Sequence, residues 1–100
     1  MTYTASSLIE KLRTKPNGRQ FSSLFDDGDS TDFATSMAAE LALCTMIAQE
    51  TIDPSLIDDV FQESALYRPK RWTQDRYGES IIQQAITAAK ASRGIPPFIV

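Results

Sequence analysis

Arg68, Lys70, Arg71 and Arg76 place four of the chain's ten basic residues within nine consecutive positions, with Tyr67, Trp72 and Tyr77 interleaved among them. These residue types suit one chemistry. Guanidinium and ammonium groups satisfy phosphate oxygens, and aromatic faces stack on bases, so a single-stranded nucleic acid or a nucleotide would engage both. The same residues admit a plainer reading, in which Trp72 and Tyr77 plug the end of a core and the cations are simply solvated. The formal net charge is −3, which argues against a domain coated in nucleic-acid-binding surface. That sum hides patches: Lys11, Arg13, Lys15 and Arg19 cluster early, and Asp26, Asp27, Asp29 and Asp32 follow as an acidic block.

Glu40 is the other residue whose surroundings demand chemistry. Leu43, Cys44 and Ile47 lie three, four and seven residues on, so its carboxylate falls inside an apolar helical stripe. A buried carboxylate needs a partner. Arg68 is the first candidate, making Glu40–Arg68 a structural ion pair that clamps the basic stretch. A metal role is disfavoured because no second carboxylate lies one turn away. The block Asp26–Asp32 lacks the length, glycine placement and terminal glutamate of an EF-hand loop, and reads as a solvated loop.

Catalysis has little to work with. There is no histidine and one cysteine, Cys44, which removes zinc-site spacings and both Ser-His-Asp and Cys-His pairings. No catalytic residue, metal ligand or tightly bound cofactor is expected, and a stand-alone enzyme is disfavoured. One cysteine also makes no internal disulfide. No signal-peptide core or membrane-spanning apolar stretch is visible, so a cytoplasmic location is expected.

The elements that must position these residues are helical. Leu8, Ile9 and Leu12 predict a helix over Ser7–Thr14, capped by Ser6 or Ser7 and ended by the Pro16-Asn17-Gly18 turn. Phe21, Leu24 and Phe25 predict a second over Gly18–Asp26. The central helix is Thr35–Glu50, with Met37, Leu41, Cys44 and Ala48 as one stripe and Leu43, Met46 and Ile47 widening it. Asp53 as N-cap with Pro54 at the first position starts the next, which ends near Ser64 and points Asp58 and Asp59 outward. Tyr67–Tyr77 contains Pro69 and shows no periodicity, so it reads as a loop or a broken turn. From Glu79 the pattern resumes and ends before Gly94, with Lys90 and Arg93 suited to its negative end. The expected fold is all-α, a small bundle of four to five helices over residues 1–94, followed by a tail or linker over 95–100. Its core should hold Leu41, Cys44, Ile47, Leu56, Ile57, Val60, Phe61, Ile82, Ala85 and Ile86.

The order of these pieces resembles a known family. Helix-bundle accessory domains of phage and plasmid primase-polymerases, of the archaeo-eukaryotic type, carry a pattern close to dxxFxxSxLxRxKW…YGxxTIxxA. Here Ile57-Asp58-Asp59-Val60-Phe61 leads into Ser64-Ala65-Leu66-Tyr67-Arg68-Pro69-Lys70, then Trp72, then Tyr77-Gly78 running on to Ala85. Upstream, Ala39–Cys44 is similar to that family's ADLALC helix, and Phe21–Phe25 with Gly28-Asp29 to its FxxLxxGD segment. Arg71 stands directly before Trp72 where the family usually has lysine, Ile81 where threonine is usual, and Met37 where serine is common. The resemblance implies a non-catalytic module beside a primase-polymerase catalytic domain. Such a module would engage single-stranded template DNA, and ATP or another nucleotide, so that primer synthesis can start. The residues themselves also leave open a protein-interaction bundle that works through its acidic face.

Overall fold

In the computed structural model, residues 4–16, 18–28, 31 and 33–92 are described. Helix α1 (Ala5–Arg13) opens at Thr4, whose Oγ1 accepts the N–H of Ser7 at 3.1 Å, so the cap is Thr4 rather than Ser6 or Ser7. It is followed by α2 (Gly18–Asp26), α3 (Ser36–Ala48), α4 (Pro54–Gln62), the short α5 (Pro69–Thr73), a 3₁₀ turn (Gln74–Arg76) and α6 (Tyr77–Ser92). The fold is all-α, with no strand among the described residues. Thr35 caps α3 through the N–H of Ala38 at 3.1 Å, and Asp53 caps α4 through that of Ser55 at 3.0 Å, with Pro54 in the first turn as read from the sequence.

Two boundaries differ from expectation, for one reason. Pro69 does not break a helix here but starts one, since its fixed φ and missing N–H suit a first turn. Residues 69–73 are therefore helical rather than loop, and α6 begins at Tyr77 rather than Glu79. The expected boundary at Gly94 and the tail over 95–100 lie outside the described residues.

Helix α3 is the hub. It packs chiefly along α6 and also touches α1, α2 and α4, while α1 and α2 form a hairpin beside it. Cys44, Ile47, Ile57, Val60, Phe61, Ile82, Ala85 and Ile86 are all buried as expected. Leu41 and Leu56 are only partly buried and pack on the core's edge, and Met37 is 45% exposed. The buried face of α3 is instead built from Ala39, Glu40, Leu43, Cys44, Ile47 and Ala48. A helix that is apolar most of the way round gives periodicity no direction to read, so its inward face is chosen by the helices that meet it. The hairpin adds Leu8, Leu12, Phe21, Leu24 and Phe25 to the same core. Burying each such side chain contributes about 1.5–3 kcal/mol relative to exposure.

The first basic cluster is largely committed to holding this hairpin in place. Arg13 donates Nη2 to Asp26 Oδ1 at 2.8 Å and lies 5.6 Å over the Phe25 ring. Lys11 reaches Glu50 at 3.2 Å, and Lys15 pairs with the same carboxylate, tying α1 to the residues just beyond α3. Glu50 is little exposed; burial opposes its charge, yet its two lysines hold the carboxyl below the ordinary glutamate range. Asp26 thus belongs to an ion pair rather than to a free acidic loop.

Candidate nucleic-acid interface

Trp72 explains why the stretch after Leu66 folds as it does. Its indole stacks on Phe61, centroids 4.0 Å apart and planes 16° from parallel, and Nε1 donates to Asp58 Oδ1 at 2.7 Å. Gly78 lies so close that a Cβ there would sit 2.4 Å from an indole carbon. Trp72 is consequently 5% exposed. It was expected among the base-stacking aromatics, and that expectation is corrected: the side chain is packed between α4 and the start of α6 and anchors α5. Asp58, expected to face outward, is its hydrogen-bond acceptor. Tyr67 meets Phe61 edge-on at 6.3 Å and is half-buried.

With α5 anchored, Arg71 is carried to α3. Its Nε lies 3.2 Å from Glu40 Oε2 and its Nη2 3.3 Å from Oε1. Tyr77 donates its hydroxyl to the same carboxylate and accepts from Arg71 Nη2 at 2.9 Å, while the guanidinium carbon rests 4.7 Å from the Tyr77 ring centroid. Glu40 is buried and held by a cation as expected, but the cation is Arg71, not Arg68. The reason is register. Arg68 precedes Pro69 in extended backbone, before the first turn of α5, whereas Arg71 lies inside that turn facing α3. Counting back from Trp72, Arg71 occupies the place where the resembling family has its lysine.

The cluster biases its own protonation. Burial, and then the bond to Glu40, pushes the Tyr77 hydroxyl above the ordinary tyrosine value. The bond to Tyr77 and the pairing with Glu40 hold Arg71 more firmly charged. Arg71 nonetheless keeps 45% of its side chain exposed. Its Nε and Nη2 serve Glu40 and Tyr77, leaving Nη1 for an acceptor from outside.

Arg68 and Arg71 line one cleft of about 260 Å³ together with Gly28, Ser36, Glu40 and Leu66. Gly28 and Ser36 were not singled out from the sequence as site residues. Gly28 sits two residues beyond α2 with φ +63, where only a residue without Cβ is comfortable and where Ala65 presses within 3.2 Å of the added atom. The adjoining Phe25 carbonyl accepts the Ala65 N–H at 2.7 Å, strapping this turn to the base of the basic stretch. Ser36 is the first residue of α3, so the cleft opens at that helix's N-terminus.

Arg71 and Tyr77 meet on Glu40, Arg68 lines the same cleft, and Lys70 is exposed on α5. Arg76 lies elsewhere, lining a different cleft with Asp58 and Trp72. Cys44 is fully buried, and its burial pushes the thiol up, away from reactivity. No group of acidic, cysteine or histidine residues among the described residues can hold a metal ion. No helix among them is long and apolar enough to cross a membrane.

A protein-family model described as the NrS-1 polymerase HBD domain matches residues 36–92. The chain belongs to this family. NrS-1-type HBD domains are helical-bundle accessory domains of phage primase-polymerases, so the resemblance drawn from the motifs holds at the level of family and fold. The match runs from the first residue of α3 to the last of α6 and contains Glu40, all of α5 and Tyr77. The α1–α2 hairpin, with the Phe21–Gly28 segment that also resembled the family, lies outside it. No curated protein and no solved structure gives a match.

Proposed function

We propose that this HBD domain binds single-stranded template DNA, and ATP or another nucleotide, beside the catalytic domain of a primase-polymerase. One observation carries the reading: Arg68 and Arg71 open into the same cleft at the N-terminus of α3. Backbone N–H groups and the positive end of the helix dipole favour an anion there, and Ser36 and Met37 contribute the N–H groups that the Thr35 cap leaves unused. Two guanidinium groups add the charge and the planar geometry that phosphate oxygens accept. Glu40 offsets the charge of Arg71, so the net attraction comes from Arg68 and the helix end, and Arg71 adds directional N–H donors.

In this reading Lys70 tracks the nucleic-acid backbone beside the cleft, and the accessible part of Tyr77 lies next to Arg71 as the nearest ring for a base. Trp72 supports the site without touching the ligand. Arg76 lines the other cleft and is left out of this site.

Amide chemical-shift mapping with a short single strand, with and without ATP, tests the proposal. Perturbations should gather at Ser36, Met37 and residues 66–71. A map centred on α1 and α2, or on the outer face of α6, would refute it.

A further inference from the structure

Neighbouring residues of α5 line different clefts. Arg71 borders the one at the head of α3, whereas Trp72 walls a second, of about 580 Å³, between α4 and α6. The two share no lining residue. The second lies within the ~300–1,000 Å³ span of ordinary ligand sites. Its apolar surface comes from Pro54, the edge of Trp72 and Ile82, and its charges are Asp58, Glu79 and Arg76.

The carboxylates dominate. Asp58 is fixed in the wall, with Oδ1 accepting from Trp72 and Oδ2 accepting from Gln62 Nε2 at 3.0 Å. Glu79 projects from the first turn of α6 and is exposed. Against these two carboxylates stands one cation, Arg76, at the end of two successive left-handed residues (Asp75 at φ 50, Arg76 at φ 60). A phosphate backbone would be repelled here, whereas a cationic ligand would be drawn in.

We infer that this cleft docks a basic peptide segment of another protein, one in which lysine or arginine flanks an apolar side chain. The apolar residue would rest on Pro54, Trp72 and Ile82, and the cations would meet Glu79 and Asp58. Where the Arg68–Arg71 cleft takes a phosphate backbone, α5 separates a site for anions from a site for cations. Opposite charge keeps each ligand from the wrong cleft. The inference rests on the cleft alone and stands whether or not the Arg68–Arg71 cleft binds DNA.

Trp72 is the only tryptophan, so its fluorescence reports on this cleft directly. The 100-residue chain should be titrated with decapeptides in which Lys/Arg and Leu/Ile positions vary, with their Asp/Glu counterparts, and with oligo-dT. Basic peptides should shift the emission saturably and acidic ones should not. Glu79→Lys, and separately Ser55→Lys on the opposite wall, should each weaken peptide binding about tenfold by like-charge repulsion. Both positions are exposed, so the melting curves should stay near that of the parent, and each variant checks the other. An Arg68→Ala/Lys70→Ala chain should bind peptide as the parent does. No saturable response to any basic peptide, or parent-like affinity in both lysine variants, would overturn the inference. So would a saturable response to oligo-dT that Glu79→Lys strengthens, which would make the cleft a nucleic-acid site.

Discussion

Arg71 crosses from α5 to α3 to hold the buried carboxylate of Glu40, Nε to Oε2 at 3.2 Å. The two partners are unequally placed: the Glu40 side chain is 4% exposed and that of Arg71 45%. Removing one is therefore not equivalent to removing the other. Arg71→Ala strands a carboxylate away from water and should cost about 3 kcal/mol, the low end for a broken buried pair. Glu40→Ala leaves an arginine that can turn into solvent, and should cost less, about 2 kcal/mol. The Arg71→Ala/Glu40→Gln double variant should be more stable than Arg71→Ala alone. Urea unfolding of the three variants checks the order; equal losses would mean the pair is not asymmetric.

Gly78→Ala sets two effects against each other. Alanine is the better helix former by about 1 kcal/mol. The added Cβ, however, would sit 2.4 Å from the Trp72 ring, which Phe61 backs on its other side. Overpacking of this kind costs about 1–3 kcal/mol, so the net change should be destabilising. A raised melting temperature would show that the indole can move aside. Trp72→Ala should be worse than either, at about 3–5 kcal/mol.

Stability should fall at both ends of the pH range, through different groups. Glu50 is held below its ordinary 4.5 by Lys15 and Lys11 against the opposing effect of burial. Its contribution is complete above that value and is lost as pH falls through the lower folded value. Tyr77 is raised above its ordinary 10.0, by burial first and Glu40 second. Its neutral form is the one the fold favours, so that contribution is complete below 10.0 and lost as pH rises beyond it. The parent should melt above Tyr77→Phe by a steady margin below pH 10, and the two curves should converge as pH rises beyond it. Parallel curves would remove Tyr77 from the account.

Cys44 is fully buried, and burial raises its thiol above the ordinary range. Labelling by a thiol reagent should follow unfolding, rising with urea in step with the loss of helical circular dichroism. Rapid labelling of the folded chain would contradict the packing of α3 against α6.

Much of this was legible in the chain, for reasons that can be named. Asp53-Pro54 and the Leu8, Phe21 and Phe61 periodicities are local signals, and the helices they announce formed where expected. The buried, paired state of Glu40 followed from its apolar neighbours alone. Its partner did not, because choosing between Arg68 and Arg71 depends on whether Pro69 breaks a helix or begins one. The inward face of α3 was hidden by its all-round apolarity. Trp72 could be read as ligand or core, and what separates the two is tertiary: Phe61 on one side, Gly78 pressed close, and Asp58 waiting for the indole N–H. The separation of Arg76 from Arg68 and Arg71 likewise comes from the left-handed turn at Asp75, which no spacing rule announces.

Under the proposed function, Arg68, Lys70 and Arg71 bind the phosphates of the single strand. Arg68 and Lys70 are exposed and hold no element in place, so they can be removed without disturbing the Glu40 pair. The decisive measurement is fluorescence anisotropy of a labelled single strand against the parent and Arg68→Ala/Lys70→Ala chains across a range of salt concentrations. The parent should bind at low salt with affinity falling linearly on a log-log plot. The double variant should bind more weakly, with a slope shallower by about 1.4, or 0.7 for each lost phosphate contact. An unchanged slope in a folded double variant, or no binding by the parent at low salt, would contradict it.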